Sequence, residues 1–254
     1  MRIFKADLHI HSCLSPCGDL DMSPRAIVEE GLKRGLDVIA VSDHNTAENV
    51  GAVMRAGASR GLHVLAAMEV NSSEEVHILA LFDTEWQALS LQEEVYTHLK
   101  GTNRPELFGD QVVANEFDEV EGFNDRMLIG ATSMGIRKIL ETIHALGGLG
   151  IASHVDRPSF SLLSQLGFIP PDLDLDALEI SANTPMDSVS SRFPEVKGLP
   201  LVTFSDAHFP GDVGSRYTPF LVEAPRVEEI AMALGEIAGR RVAFPGAARE
   251  EGCD

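Results

Sequence analysis

Seven short segments of the chain are apolar almost throughout, at residues 3–11, 37–44, 63–71, 76–83, 148–155, 176–183 and 199–208. Near-continuous apolar runs of this length are typical of parallel strands that are covered on both faces. The segments between them have the apolar spacing of amphipathic helices. Because strands and helices alternate, the sequence predicts right-handed βαβ units, and therefore a doubly wound sheet or a barrel.

Signals for helix ends support this alternation. Ser23 followed by Pro24 predicts the start of one helix, and Gly35 predicts its end. Thr46 predicts the start of a second helix and Ser133 the start of a third.

Three stretches depart from the simple alternation. Residues 101–130 predict an insertion that contains a small hairpin at residues 111–122. The third and fourth strand candidates are separated only by residues 72–75, too few for a crossover helix, so we expect this pair to be antiparallel or distorted. Residues 245–254 are expected to form a loose tail on one barrel domain that spans residues 1–254.

Composition sets broad limits on the type of protein. The length of 254 residues suits one large domain or two small ones, and the 44% hydrophobic content is that of an ordinary globular protein. The first residues lack a secretory pattern, and no run approaches the roughly 18 apolar residues of a membrane span. Cys13, Cys17 and Cys253 form no disulfide framework. We therefore expect a cytoplasmic protein with no membrane partner; Cys13 and Cys17 are interpreted as small buried thiols, although either could touch a metal.

The formal net charge of −19 argues against a long nucleic acid as partner, because such binding depends on Lys and Arg that neutralise phosphates. Divalent cations held by the protein would reverse this argument locally, since each adds two positive charges at the point where an anion would bind. A small phosphorylated ligand is therefore compatible with the acidic composition.

Histidines and acids gather where the predicted strands end. The carboxyl ends of parallel strands are where α/β folds place their chemistry. One further histidine begins the fourth strand and would reach the same edge if that strand is antiparallel. The residues concerned are His9, His11, Asp43, His44, Glu69, His77, His154, Asp206 and His208.

Strand periodicity predicts how the first of these side chains point. In a strand of period two, Asp7, His9 and His11 share one face while Leu8 and Ile10 share the other. Two imidazoles on one face can converge on a single cation, and neutral imidazole suits Zn, Fe and Mn ions. We expect Asp7 and Asp43 to orient ligating imidazoles from behind.

The motifs "DLHIHS", "CGDLDMSP", "GLDVIAVSDHN", "MEV", "HILALF", "SHVDRP" and "SDAH" resemble, in order, those of the PHP family (polymerase and histidinol phosphatase) over residues 3–220. The resemblance implies a distorted (β/α)7 barrel, similar to a TIM barrel, with two or three divalent ions at its mouth, either Zn, Mn or Fe. It implies three ligand groups: His9, His11, Glu69 and Asp206; Glu69, His77 and His154; and Asp19, His44 and His208. Asp21, two residues on in the same loop, is an alternative to Asp19.

The function that the resemblance implies is metal-dependent hydrolysis of a phosphate monoester or diester in a small metabolite or nucleotide. A hydroxide shared by two metals would be the nucleophile. Arg157 is a candidate phosphate contact, although a salt bridge to Asp156 or a neighbour would explain it equally well. Arg216 is a second, weaker candidate.

Two other interpretations remain open. An amidohydrolase-type enzyme also begins with His-x-His, but it often bridges its metals with a lysine at a strand end, and no lysine here has that position. A non-catalytic metal-binding or regulatory module, or a proofreading domain of a polymerase, would bind metal without turnover of its own.

Overall fold

The computed structural model describes residues 1–244, and the predicted loose tail at 245–254 lies outside them. The strands are β1 (Arg2–Ile10), β2 (Val38–Val41), β3 (His63–Asn71), β4 (His77–Phe82), β5 (Val112–Ala114), β6 (Val120–Phe123), β7 (Leu149–Ala152), β8 (Ala177–Glu179), β9 (Leu201–Val202), β10 (Thr218–Val222) and β11 (Arg241–Val242). The helices are α1 (Pro24–Lys33), α2 (Val50–Arg60), α3 (Glu85–His98), α4 (Pro105–Phe108), α5 (Ile136–Ala145), α6 (Leu162–Leu166), α7 (Val189–Arg192) and α8 (Val227–Leu234). Among residues 1–244, no helix combines the length and apolar character that crossing a membrane requires.

One mixed sheet organises the molecule, with the strand order β11-β10-β1-β2-β3-β4-β7-β8-β9. The seven predicted strands follow one another in this sheet, parallel except for β4, which is antiparallel to both β3 and β7. The expected antiparallel pairing of the third and fourth strands is therefore confirmed. Because of it, His77 at the start of β4 lies opposite Asn71 at the end of β3.

The two ends of this sheet approach each other. After β9 the chain forms a parallel bridge between Ala207 and Ile10, next to the end of β1. The Thr218 hydroxyl of β10 also exchanges hydrogen bonds with the backbone of Thr203. The sheet is thus a nearly closed barrel, which confirms the predicted fold class.

The inside of the barrel is apolar along most of its depth and polar at one end. In β3, Leu65 and Ala67 belong to a single buried cluster with Leu79 and Leu81 of β4. Glu69 lies two residues after Ala67 and so points to the same inward side of β3. His77, two residues before Leu79, does the same on the antiparallel β4. Glu179 follows Ala177, and Asp206 follows Phe204, by the same spacing of two. Period-two alternation therefore carries the polar side chains to the mouth above an apolar floor.

The predicted two faces of β1 are wrong in one respect. Leu8 packs with Phe4 in the interior cluster, whereas Ile10 packs against the helices α1 and α2, so these two residues do not share a face. The reason is an irregularity in the pairing of β1 with β2, whose register shifts between Asp7 and Ile10. Such irregularities break strict alternation and redirect side chains. Here His9 points into the barrel mouth, while Asp7 lies under the 205–214 loop.

Of the three predicted helix starts, one is confirmed and two are wrong. The Ser23 hydroxyl accepts a hydrogen bond from the first turn of α1, as expected. The Thr46 hydroxyl instead bonds to Gln92 of α3, and α2 begins only at Val50. Ser133 likewise bonds to α3, and α5 begins three residues later. A hydroxyl that is engaged by a neighbouring helix is not available as a cap.

The predicted hairpin within the 101–130 insertion is present as β5 and β6. Its first strand is joined to the loop after β1, since Val112 N–H donates to the Cys13 carbonyl over 3.1 Å. The Asn49 amide, just before α2, donates to Val112 O and accepts from Ala114 N–H. The hairpin therefore lies beside the barrel mouth. Strands β10 and β11 were not predicted.

Candidate metal centre

Glu69 lies at the middle of the barrel mouth and is almost completely buried. Its Oε1 is 3.3 Å from His9 Nε2, 3.1 Å from His77 Nδ1 and 3.3 Å from His154 Nε2. Its Oε2 is 3.0 Å from His44 Nδ1 and 3.6 Å from His11 Nε2. The two carboxylate oxygens thus face two different groups of imidazoles, as a carboxylate shared between two cations would require.

Asp206 forms a second acidic position in the mouth, next to the histidines of β1. Its Oδ1 is 3.0 Å from His11 Nε2 and 3.4 Å from His9 Nε2. His208 Nδ1 donates to the Asp206 carbonyl over 2.7 Å, which leaves Nε2 of that ring available. Asp206 has a positive φ of 49°, and His154 has a φ of 31°. Side chains held in this sparsely populated backbone region are frequent at functional sites.

His9 is held by an acid that the sequence did not indicate. Its Nδ1 lies 2.8 Å from Oε2 of Glu179, a completely buried residue at the end of β8. Because a carboxylate only accepts hydrogen bonds, Nδ1 carries the proton and donates it. In the neutral ring the lone pair of His9 is therefore on Nε2, which faces Glu69 and the mouth. Glu179 also accepts from His154 N–H over 3.3 Å.

His11 is oriented by a hydroxyl and, through it, by Asp43. The Ser15 hydroxyl donates to Asp43 Oδ1 over 2.8 Å, so its oxygen accepts from His11 Nδ1 at 3.0 Å. Ser12 also donates to Asp43, through both its N–H and its hydroxyl. Asp43 therefore acts on His11 rather than on its sequence neighbour His44, although the same hydroxyl accepts from the His44 N–H.

Asp7 does not contact an imidazole ring directly. Its carboxylate accepts from Ser205 N–H over 3.0 Å and from Gly214 N–H over 2.8 Å. These bonds hold both ends of the loop that carries Asp206 and His208. Burial raises the pKa of Asp7 to about 7, against the lowering effect of its hydrogen bonds.

The remaining predicted residues are less closely joined to the cluster. The carboxylate of Asp19 accepts from Asp21 N–H over 2.8 Å, and Asp21 is exposed. Arg157 forms an ion pair with Asp206 Oδ2 and keeps about a third of its side chain exposed. Arg216 Nε donates to the Ala182 carbonyl, and its phosphate-binding role stays a prediction.

The pKa values of the two acids and of His11 are shifted toward the forms that bind cations. Burial alone would raise the pKa of Glu69, but the imidazoles of His77, His9 and His44 hold it well below its ordinary value. Burial also opposes ionisation of Asp206, yet His9 and His11 hold its pKa well below the usual range. Burial and the neighbouring His208 lower the pKa of His11 well below its ordinary value. Burial would also lower the pKa of His9, but the carboxylates of Glu179, Glu69 and Asp206 hold it well above its ordinary value. The mouth thus holds ionised carboxylates beside at least one neutral imidazole, the forms that bind cations.

A family profile described as PHP domain matches residues 7–164, and a second one, described as PHP-associated, matches residues 189–237. The chain belongs to the PHP domain family. The PHP match contains seven of the nine predicted ligands, and the other two, Asp206 and His208, lie within the PHP-associated match.

Solved structures share the PHP barrel at low sequence identity, so they show the fold alone. The lesion-specific endonuclease PfuEndoQ from Pyrococcus furiosus is 21% identical with a TM-score of 0.68, over 94% of this chain and 57% of that one. A candidate metal-dependent phosphoesterase from Bifidobacterium adolescentis is 19% identical with a TM-score of 0.52, over 81% and 88%. An amidohydrolase from Chromobacterium violaceum with bound sulfate is 19% identical with a TM-score of 0.56, over 82% and 89%.

This PHP chain spans 57% of the length of the endonuclease. A search of curated proteins finds no match for it.

The buried atoms of the PHP mouth fit divalent cations. Buried polar atoms are nearly always hydrogen-bonded, and each exception calls for an explanation. Within residues 1–244, most of the buried side-chain atoms without a well-oriented hydrogen bond belong to this mouth: His9 Nε2, both Glu69 oxygens, His77 Nδ1, His154 Nδ1, Glu179 Oε1 and Asp206 Oδ2. Nitrogen and carboxylate lone pairs pointing at a common space are what Zn, Mn or Fe ions bind. Several such groups are present, which is consistent with more than one metal site.

The structure therefore brings together eight of the nine predicted ligands, all except Asp19. Their binding of metal stays a prediction. The sequence did not predict the roles of Glu179 and Ser15. A single acid in "DALEIS" and a single serine in "CLSPC" follow no pattern that indicates their partners, which become neighbours only in the folded chain.

Proposed function

We propose that the chain is a metal-dependent phosphoesterase that hydrolyses a monoester or diester in a small phosphorylated metabolite or nucleotide. The observation that carries this proposal is the buried carboxylate of Glu69 among five imidazoles, with both of its oxygens lacking a well-oriented hydrogen bond. Family membership supports it as well.

The residues of the mouth have separable roles in this proposal. His9, His11, Glu69 and Asp206 would hold one cation, and His77 and His154 would hold a second that shares Glu69. Glu179 and the Asp43–Ser15 pair keep Nε2 of His9 and His11 directed at the site. Divalent ions, when bound, would supply the charge that activates water and neutralises phosphate oxygens.

We infer that two side chains contact the substrate. Arg157, paired with Asp206 at the rim, has further N–H groups that could bind two phosphate oxygens. Phe160 stacks on His77 with ring centroids 5.0 Å apart and planes inclined by 19°, and 41% of its surface is exposed. An exposed aromatic ring beside the cations suits the organic part of a small ester.

The composition argument against long nucleic acids is not supported by the comparisons. A structure of endonuclease Q is described as a complex with a 27-mer duplex that has an abasic lesion at the active site. The structural match to this chain covers 58% of the length of that protein. Duplex DNA is therefore a second candidate substrate, and the net charge of −19 is the observation that ranks it below a small ester.

An assay of the metal-reconstituted full chain tests the proposal. Protein stripped with chelator would be reloaded separately with Zn, Mn or Fe(II) and given phosphate monoesters, diesters, nucleotides and duplexes with and without an abasic site. We expect hydrolysis of a small ester that Asp206→Asn abolishes. His144→Ala is the matched control, because His144 pairs with Asp176 at the opposite end of β8. Absence of any hydrolysis by protein with a full metal complement would contradict the proposal.

The two rival interpretations make different predictions in the same assay. A regulatory module would bind metal tightly with no turnover, and His9→Ala would alter partner binding only. An amidohydrolase would cleave a C–N bond. The five lysines, Lys5, Lys33, Lys100, Lys138 and Lys197, all lie away from the carboxyl ends of the strands, so none can form a carboxylated bridge there.

A further inference from the structure

Cys17 lies among three histidines at the outer side of the mouth. Its Sγ and one ring nitrogen from each of His11, His44 and His208 all lie within 4.8 Å of one another. The ring centroid of His11 lies 4.6 Å from that of His44 and 4.4 Å from that of His208. This is a group of one sulfur and three nitrogens with the spacing of ligands around one cation.

Asp19, the residue expected to complete this group, is used differently. Its Oδ1 accepts a hydrogen bond from Asp21 N–H over 2.8 Å, which closes a local turn, and its own N–H donates to the His208 carbonyl over 2.9 Å. Asp19 is absent from the groups of potential ligands found within residues 1–244.

Two turns in residues 12–18 hold the thiol of Cys17 at the surface of the mouth. Ser15 N–H donates to Ser12 O over 3.1 Å, and Gly18 N–H donates to Ser15 O over 2.9 Å, so residues 12–18 form two successive turns. A Cβ at Gly18 would lie 2.3 Å from the Ser12 carbonyl oxygen, so only glycine allows this close approach. Cys17 is carried on the outer side of these turns and is exposed.

We propose that the Cys17 thiolate is the third protein ligand of the cation held by His44 and His208, in place of Asp19. Binding would release the thiol proton to solvent and leave sulfur bonded to the metal. A site with one thiolate and two imidazoles favours Zn(II), Fe(II) or Co(II) over Mg(II) or Mn(II). Three protein ligands also leave a position open, as catalytic sites require. The inference rests on the proposed phosphoesterase centre, but it does not depend on which ester is cleaved.

Cobalt substitution of the full chain tests this directly, because a thiolate bound to Co(II) gives a charge-transfer absorption that nitrogen and oxygen ligands do not. We expect this absorption in the unmodified protein. Cys17→Ser should lose it together with about one bound cobalt per chain. Asp19→Asn should keep both, as should the matched control Cys13→Ser, whose buried sulfur lies 3.7 Å from the Val112 carbonyl.

Three results would overturn the inference: a fully cobalt-loaded protein without the absorption, persistence of the absorption in Cys17→Ser, or loss of one metal in Asp19→Asn alone. Alkylation of the unmodified chain, followed peptide by peptide, does not depend on any variant folding. Zinc should protect Cys17 and leave the rate at Cys13 unchanged, whereas equal alkylation of Cys17 with and without zinc would refute its role. A protein that shows the absorption but hydrolyses no ester would contradict the proposed function and still support Cys17 as ligand.

Discussion

His9 Nδ1 and Glu179 Oε2 are 2.8 Å apart and completely buried, although 170 positions separate them in the chain. This contact joins β1 to β8 and directs Nε2 of His9 at Glu69. The orientation of a candidate ligand thus depends on a residue that contributes nothing to the recognisable motifs.

Replacement of Glu179 tests the importance of this contact. Glu179→Gln should lower metal affinity or turnover about 10–100-fold, as loss of a carboxylate behind a ligating histidine commonly does. Metal titration and steady-state kinetics would measure it. Asp176→Asn is the control, since Asp176 forms a similar 2.8 Å contact with His144 Nε2 at the other end of β8. Equal effects of the two substitutions would indicate general destabilisation instead.

The link from Asp43 through Ser15 to His11 makes a second prediction. Ser15→Ala removes the acceptor of His11 Nδ1, so the ring is free to turn and metal affinity should fall by about 10-fold or more. Ser42→Ala is a suitable comparison, because that hydroxyl is equally buried in the neighbouring loop and bonds only to the Ile10 carbonyl. Unchanged metal binding in Ser15→Ala would show that the hydroxyl does not position the ring.

Arg157 should act on substrate binding more than on metal binding. Arg157→Lys keeps the positive charge but loses the forked donor geometry, and Arg157→Met loses both. We expect the second substitution to reduce kcat/KM on the order of 10-fold or more, as for loss of a charged hydrogen bond. Arg137→Lys, at an exposed pair with Asp172, should change nothing. Kinetics on a phosphate ester in metal-saturated protein would separate these outcomes, and normal kcat/KM in Arg157→Met would refute the role.

Metal should stabilise the folded chain. Several lone pairs of the mouth are buried without a well-oriented hydrogen bond, and cations that bind only the folded state raise its stability. At a metal concentration of 100 times Kd the gain is about 2.7 kcal/mol for one site. Thermal unfolding with and without chelator would measure it, with His9→Ala expected to lose most of the shift. Equal Tm values for loaded and stripped protein would contradict the metal centre.

Much of the barrel could be predicted because its signals are local. Apolar runs marked seven strands, and the four-residue link before His77 indicated the antiparallel β4. Family motifs then indicated candidate ligands at the ends of those strands. These features depend on residues close together in the chain, so the sequence displays them directly.

What was missed depends on contacts between distant segments. The shifted register between Asp7 and Ile10 places Leu8 and Ile10 in different clusters, and no alternation pattern in nine residues reveals it. Thr46 and Ser133 look like helix caps until α3 engages their hydroxyls. Cys17 lies close to His208 only because the turns at residues 12–18 bring it against a loop that is distant in the sequence.

Anomalous diffraction from a metal-replete crystal, with elemental analysis of the same protein, tests the central claim most directly. The account predicts anomalous peaks enclosed by Glu69, His9, His11, His77, His154 and Asp206, with the carboxylate of Glu69 between two of them. A fully loaded crystal in which the ions lie only on surface carboxylates, and the mouth has no anomalous peak, would contradict it.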